Sequence, residues 1–123
     1  MKKEDTARHK SKKFAIRIIN LSEHLKETQR EFVLSQQILR SGTSIGANLA
    51  ESETAISERD FLSKVYIALK ECGETLYWLE LLHETGKITP KEFESLYADC
   101  EELKRMLQAT TRTLIKKQNA QKE

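Results

Sequence analysis

Residues 89–114 read TPKEFESLYADCEELKRMLQATTRTL, and this stretch decides the fold. Thr89 offers a capping hydroxyl, Pro90 takes the first helical position, where no backbone amide is missed, and Glu92 stands where its carboxylate reaches back to the cap. Ile88 and Phe93 flank the cap as a hydrophobic staple. Beyond it Phe93, Leu96, Cys100, Leu103, Leu107, Thr110 and Leu114 alternate steps of three and four. That is the seam of a long helix lying against other helices.

Working back toward the N-terminus, Ser57 and Asp60 repeat the cap pattern, and Phe61, Val65, Ala68, Cys72, Leu76 and Leu79 make one helical face. Leu62, Tyr66, Ile67, Leu69, Tyr77, Trp78 and Leu81 spread apolar surface around the rest of that cylinder. One bundle cannot cover all of it, so the third helix is expected to pack partly against another subunit. Leu34, Ile38, Ile45 and Leu49 mark a second helix, whose middle holds Ser41, Gly42, Thr43, Ser44, Gly46 and Ala47. Two helical glycines each cost about 1 kcal/mol relative to alanine, which close approach of a neighbouring helix offsets. Phe14, Ile18, Leu21 and Leu25 mark the first helix. The 123 residues include one proline and four glycines, too little turn material for anything but long elements. The expected fold is all-α: a single domain over residues 1–123, an antiparallel up-down-up-down four-helix bundle with helices at about 11–27, 31–54, 58–84 and 90–117.

The net charge of +2 hides an uneven distribution. Seven Lys or Arg precede Ile18 against Glu4 and Asp5, and six follow Leu103 against Glu123 alone, while the interior is acidic. In an up-down-up-down bundle the first helix starts where the fourth ends, so Lys10, Lys12, Lys13 and Arg17 come near Arg105, Arg112, Lys116 and Lys117. Such a patch suits phosphate backbones. The turn between the second and third helices, with Glu51, Glu53, Glu58 and Asp60, reaches the same end and neutralises part of it. The C-terminal cations also favour their own helix dipole, an explanation the N-terminal ones lack. Half of the aromatics, Phe61, Tyr66, Tyr77 and Trp78, cluster in the third helix, away in sequence from the basic ends, so recognition is expected to be salt-sensitive and weakly selective.

Other chemistry finds little support. The glycines at 42, 46, 73 and 86 form no phosphate loop. Glu80 and His83 spell Glu-x-x-His, but a di-iron bundle needs a second copy, and neither His9 nor His24 has a Glu three residues before it. His83 is expected at a helix end, facing the last carbonyls. Cys72 and Cys100 fall on apolar faces and read as small buried thiols. No nucleophile and base stand together, so we expect no catalysis, metal or cofactor. No window is apolar enough for a membrane span or a signal-peptide core, which implies a cytoplasmic protein with no membrane partner.

The run Ile38-Leu39-Arg40-Ser41-Gly42-Thr43-Ser44-Ile45-Gly46-Ala47-Asn48-Leu49-Ala50-Glu51 resembles the signature of the proteins encoded within intervening sequences of bacterial 23S ribosomal RNA genes. Asp60-Phe61, Ile67-Ala68-Leu69-Lys70-Glu71, Glu74-Thr75 and Tyr77-Trp78-Leu79 follow in that family's order, and the resemblance covers roughly Phe14 to Leu107. It implies a four-helix bundle assembling as a homopentameric ring, with no catalytic residue. Gly42, Cys72 and Gly73 stand where family members often carry alanine. The accessory variability proteins of diversity-generating retroelements are similar to this family in fold and bind nucleic acid and a reverse transcriptase.

Together these readings favour a non-enzymatic homo-oligomer binding RNA or DNA through a basic rim. The polar motif positions Arg40, Ser41, Ser44, Asn48, Glu51, Lys70, Glu71 and Glu74 have two uses. They set the register of packed helices through internal hydrogen bonds and ion pairs, or they line a groove for a protein partner, which would make the molecule an interaction scaffold.

Overall fold

The computed structural model describes residues 2–122. After a single 3-10 turn over Lys3–Asp5 come four helices: α1 (Ala7–Thr28), α2 (Val33–Ser52), α3 (Glu58–Glu84) and α4 (Pro90–Lys122). Consecutive helices pack tightly in chain order, and α1 meets α4 more loosely to close the bundle. Arg8 pairs with Glu53, Lys64 with Glu51 and Lys117 with Glu58, so the start of α1, the α2–α3 turn and the last part of α4 share one end. This is the antiparallel four-helix bundle that the apolar periodicity implies.

The caps form as their residue types dictate. At α4 the Glu92 amide donates to Thr89 Oγ1 at 3.1 Å and the Thr89 amide to Glu92 Oε1 at 2.9 Å, a complete capping box. The backbone hydrogen bond from Thr89, with its hydroxyl contact, holds the Glu92 carboxyl below its ordinary range. Ser57 caps α3 by accepting from the Asp60 amide, while Asp60 reaches one residue further back than a standard box, to the Ile56 amide. Helix α3 ends on Gly86, whose φ of +72° lets the Lys87 amide bond the Leu82 carbonyl and the Gly86 amide bond that of His83. After α1 the left-handed position falls instead on Arg30, at φ 53°, with its guanidinium 5.5 Å from the Phe32 ring centre.

Helix α2 is shorter than expected by two residues at each end, and two boundaries differ by more. Helix α1 begins four residues before Ser11, because Thr6 caps it by accepting from the His9 amide, and α4 runs to Lys122. The heptad seam drifts as well: Leu96, Cys100, Leu103 and Leu107 are buried, but Thr111 follows them into the core and Thr110 does not. A straight helix at 3.6 residues per turn slips about 20° per heptad against a 3.5 repeat, which moves the buried position on by one residue.

The core stacks Phe14 and Ile18 of α1, Ile38 and Ile45 of α2, Val65 and Leu79 of α3 and Leu103 and Leu107 of α4, all nearly inaccessible. The small residues of α2 do what two helical glycines require. A Cβ at Gly42 would come within 2.8 Å of Ile18 Cγ2, and one at Gly46 within 3.2 Å of Ser11 Oγ. Among the described residues two buried polar atoms, Ser35 Oγ and Trp78 Nε1, find no hydrogen-bond partner. The Ser35 carbonyl accepts from Ser22 and keeps that bond whatever the side chain. Ser35→Ala therefore removes a desolvated hydroxyl and improves helix propensity, and we expect a gain of about 1 kcal/mol in urea unfolding. A loss would mean that the hydroxyl is satisfied in solution.

Candidate nucleic-acid interface

The shared end of the bundle gathers the basic segments, and its geometry sorts their cations into two groups. Lys10 Nζ donates to Glu102 at 3.0 Å, Arg17 Nη1 to Asp99 at 2.6 Å and Nη2 to Ser95 Oγ at 2.9 Å, and Lys117 Nζ to Glu58 at 2.6 Å. The bond to Glu102 raises the Lys10 ammonium above its usual range. These three tie α1 to α4 and α4 to α3. By contrast Lys12, Lys13, Arg105, Arg112 and Lys116 are exposed, and among the described residues none pairs with an acid.

Lys13 is central to the unpaired group. It borders a shallow depression along the loose α1–α4 seam, together with Lys10, Arg17, Asp99 and Glu102 above Phe14 and Leu103. It also borders a neighbouring one on the outer side of α1, with Lys3, Arg8, His9, Lys12 and Ile16. Lys12 touches only the second, one step around the helix from the α4 side. On α4, Arg105, Arg112 and Lys116 continue at helical spacing the stripe that begins with Asp99 and Glu102. The sequence reading left out Lys3, Arg8 and His9. They precede Phe14, where the apolar period of α1 begins, so only the basic run itself signals them, and Arg8 is engaged by Glu53 at 2.6 Å. No acid stands in the first turn of α1, so these cations oppose the helix dipole and add to an electropositive end.

The polar motif positions are mostly occupied inside the bundle. Arg40 forks onto Glu71, at 3.1 Å, and Glu74, the latter bond chiefly raising the guanidinium pKa further. The buried hydroxyls of Ser41 and Thr75 hydrogen-bond at 2.8 Å, Asn48 donates to the Ser44 carbonyl of its own helix, and Glu51 holds Lys64. Apart from the Asn48 bond, these contacts join α2 to α3 at fixed register. Lys70 stands apart, exposed on the outer side of α3.

Glu80 and His83 are claimed by packing. Glu80 accepts from the Tyr97 hydroxyl at 3.0 Å, and the His83 ring stacks on Phe93 with centroids 4.3 Å apart, in place of the expected contact with terminal carbonyls. Among the described residues no three His, Cys, Asp or Glu side chains gather as a metal site. The cysteines are free and fully buried, and Cys100 Sγ lies 3.5 Å from the Cys72 carbonyl. Its interaction with the Cys72 thiol and then burial push the Cys100 pKa far up, so the Cys100 sulfur stays a thiol in the folded chain. No helix among the described residues is long and apolar enough to cross a membrane.

Residues 3–109 match the family described as 23S rRNA-intervening sequence protein. Among solved structures the chain is similar to a protein of unknown function from the S23 ribosomal protein family of Bacteroides thetaiotaomicron. The two are 51% identical over 86% of this chain and 98% of that one, with a TM-score of 0.85. No curated protein matches. The matched span stops before Arg112, Lys116 and Lys117.

Proposed function

This chain belongs to the 23S rRNA-intervening sequence protein family, and from that premise we propose that it is a cytoplasmic, non-enzymatic protein that binds RNA or DNA as an oligomeric ring, the homopentamer its resemblance implies. The observation that carries the proposal is the set Lys13, Arg105, Arg112 and Lys116, exposed cations without acidic partners at one end of the bundle. Among the described residues no acid pairs with them, unlike Lys10, Arg17 and Lys117. Phosphate oxygens of a nucleic-acid backbone are the partner whose chemistry fits them. Among the described residues no exposed aromatic stands with them on α1 or α4, so bases go unread and binding follows charge and shape.

Repetition matters to the mechanism. Four cations on one subunit make a weak site, while a ring presents the same cations several times to one strand. Linked sites raise apparent affinity by about two to four orders of magnitude when they engage together. The scaffold reading draws less support, because Arg40, Ser41, Glu51, Glu71 and Glu74 are spent on the α2–α3 contact.

The test is charge reversal. Nuclease-treated protein carrying Lys13→Glu, Arg105→Glu, Arg112→Glu and Lys116→Glu should bind a labelled structured RNA at least tenfold more weakly by fluorescence anisotropy, while its mass by light scattering stays that of the wild type. Unchanged affinity would sink the proposal.

A further inference from the structure

Gly73 is a helical glycine with no steric reason inside its own chain. It is exposed in the middle of α3, and a Cβ built there meets nothing within 4 Å. Alanine would therefore be about 1 kcal/mol better for the isolated bundle. The notch lies on an outward stripe at helical spacing, with exposed Tyr66 and Lys70 before it and Tyr77, 53% exposed, after it, then Glu80 and Glu84. A second stripe runs along the outer side of α1: Lys12, Ile16 at 52% exposure, Ile19 at 41%, then Glu23 and Glu27. Since helices pack in chain order around the bundle, α1 and α3 occupy opposite corners.

Both stripes carry a cation toward their N-terminal end, an apolar middle and acids toward their C-terminal end. Laid antiparallel, they are complementary at every step. With Ile19 seated over Gly73, the helical repeat brings Ile16 against Tyr77, Lys12 against Glu80 and Glu23 against Lys70. Lys12 is the α1 cation left without an acid on this side, and Glu80 is already oriented by the Tyr97 hydroxyl. Removal of a Cβ at Gly73 is what close approach of another helix needs.

We infer that the outer face of α3 in one copy of this chain binds the outer face of α1 in another, antiparallel, with Ile19 of one copy filling the notch at Gly73 of the next. Pairing α3 with α3 would leave Ile16 and Ile19 uncovered in every copy, whereas this contact covers both stripes at once. It is heterologous, each subunit offering a different face at each side, and a heterologous contact whose rotation closes generates a ring. The inference rests on the oligomeric part of the proposed function and supplies its geometry.

Two exposed substitutions compatible with helix test it: Gly73→Leu fills the notch, and Ile19→Lys charges the knob. Wild type is expected as a multi-subunit species in light scattering, and each variant alone as a single chain with unchanged helical circular dichroism. Mixed together the two should form a dimer of one copy each, because the Gly73→Leu chain keeps its α1 face and the Ile19→Lys chain keeps its α3 face. A variant that retains wild-type mass overturns the face assignment while leaving the ring intact. Self-pairing of the Ile19→Lys chain alone would establish the α3–α3 arrangement in its place. Monomeric wild type overturns the inference and the ring together, and RNA binding measured on the same samples reports separately on the cations.

Discussion

Gly42→Leu loses about 3 kcal/mol or more of stability, seen as a fall in the urea midpoint at unchanged slope. The reason is the distance at which α1 crosses α2. An added Cβ would sit 2.8 Å from Ile18 Cγ2, 2.9 Å from Cγ1 and 3.2 Å from Cβ, so it meets the root of a branched side chain instead of a movable tip. Ile18 is wholly buried and stiff at χ1, and it cannot swing aside without displacing the core around it. Overpacking of this kind costs typically 1–3 kcal/mol for small additions, and leucine adds three carbons beyond the Cβ. Better helix propensity returns about 1 kcal/mol, which leaves Gly42→Ala as the mild case. At roughly 4 °C per kcal/mol for a chain of this size, the leucine variant should melt well over ten degrees lower. A double-mutant cycle with Ile18→Ala identifies the cause: if the clash is real, the two changes together cost less than their sum, by about 1–3 kcal/mol. A Gly42→Leu protein as stable as wild type would mean that the helices do not approach as closely as drawn. Gly73→Ala, with open space around it within its own subunit, should show no clash inside the bundle.

That contrast between two glycines shows where sequence is legible and where it stops. Gly42 and Gly46 lie in a segment of small residues, and close packing follows from the need to offset their cost. Gly73 lies 100° around the helix from Cys72 on the apolar face, so its direction is legible, but whether a Cβ there meets a neighbouring helix is not. The caps at Ser57 and Thr89 were readable because they are local, each a matter of three residues. The start of α1 was not, since Ala7, Arg8, His9 and Lys10 carry no apolar period and the Thr6 cap is hidden among charges. Charge placement was legible only in part. The end at which the basic segments gather follows from topology, but which cations are free depends on partners 92, 82 and 59 residues away for Lys10, Arg17 and Lys117. Lys116 and Lys117 are chemically identical neighbours, and only the direction of a helical residue, 100° from the next, gives one an acid and the other none.

The same pair supplies the most quantitative check on the proposed function. Nucleic-acid affinity should fall by about three to five powers of ten between 50 and 200 mM salt, if two or more ring subunits bring some six to ten cations to one strand. Each free cation that touches phosphate contributes about one to the slope of log affinity against log salt, through release of condensed counterions. Lys116→Gln should therefore flatten the slope by about one for every subunit engaged. Lys117→Gln should leave it unchanged, because Lys117 already neutralises Glu58 and would have to abandon that bond to reach phosphate. Lys13→Gln and Lys10→Gln form the matching pair on α1, with Lys10 held by Glu102. Anisotropy titrations of the four variants across a salt series measure all of this with one RNA. Equal slopes for Lys116→Gln and Lys117→Gln would mean that the ion pairs are not what sorts the cations, and that the whole basic end acts as one diffuse cloud of charge. A difference of about one per engaged subunit within each pair would place the strand on the face shared by α1 and α4, where Lys13, Arg105, Arg112 and Lys116 pair with no acid among the described residues.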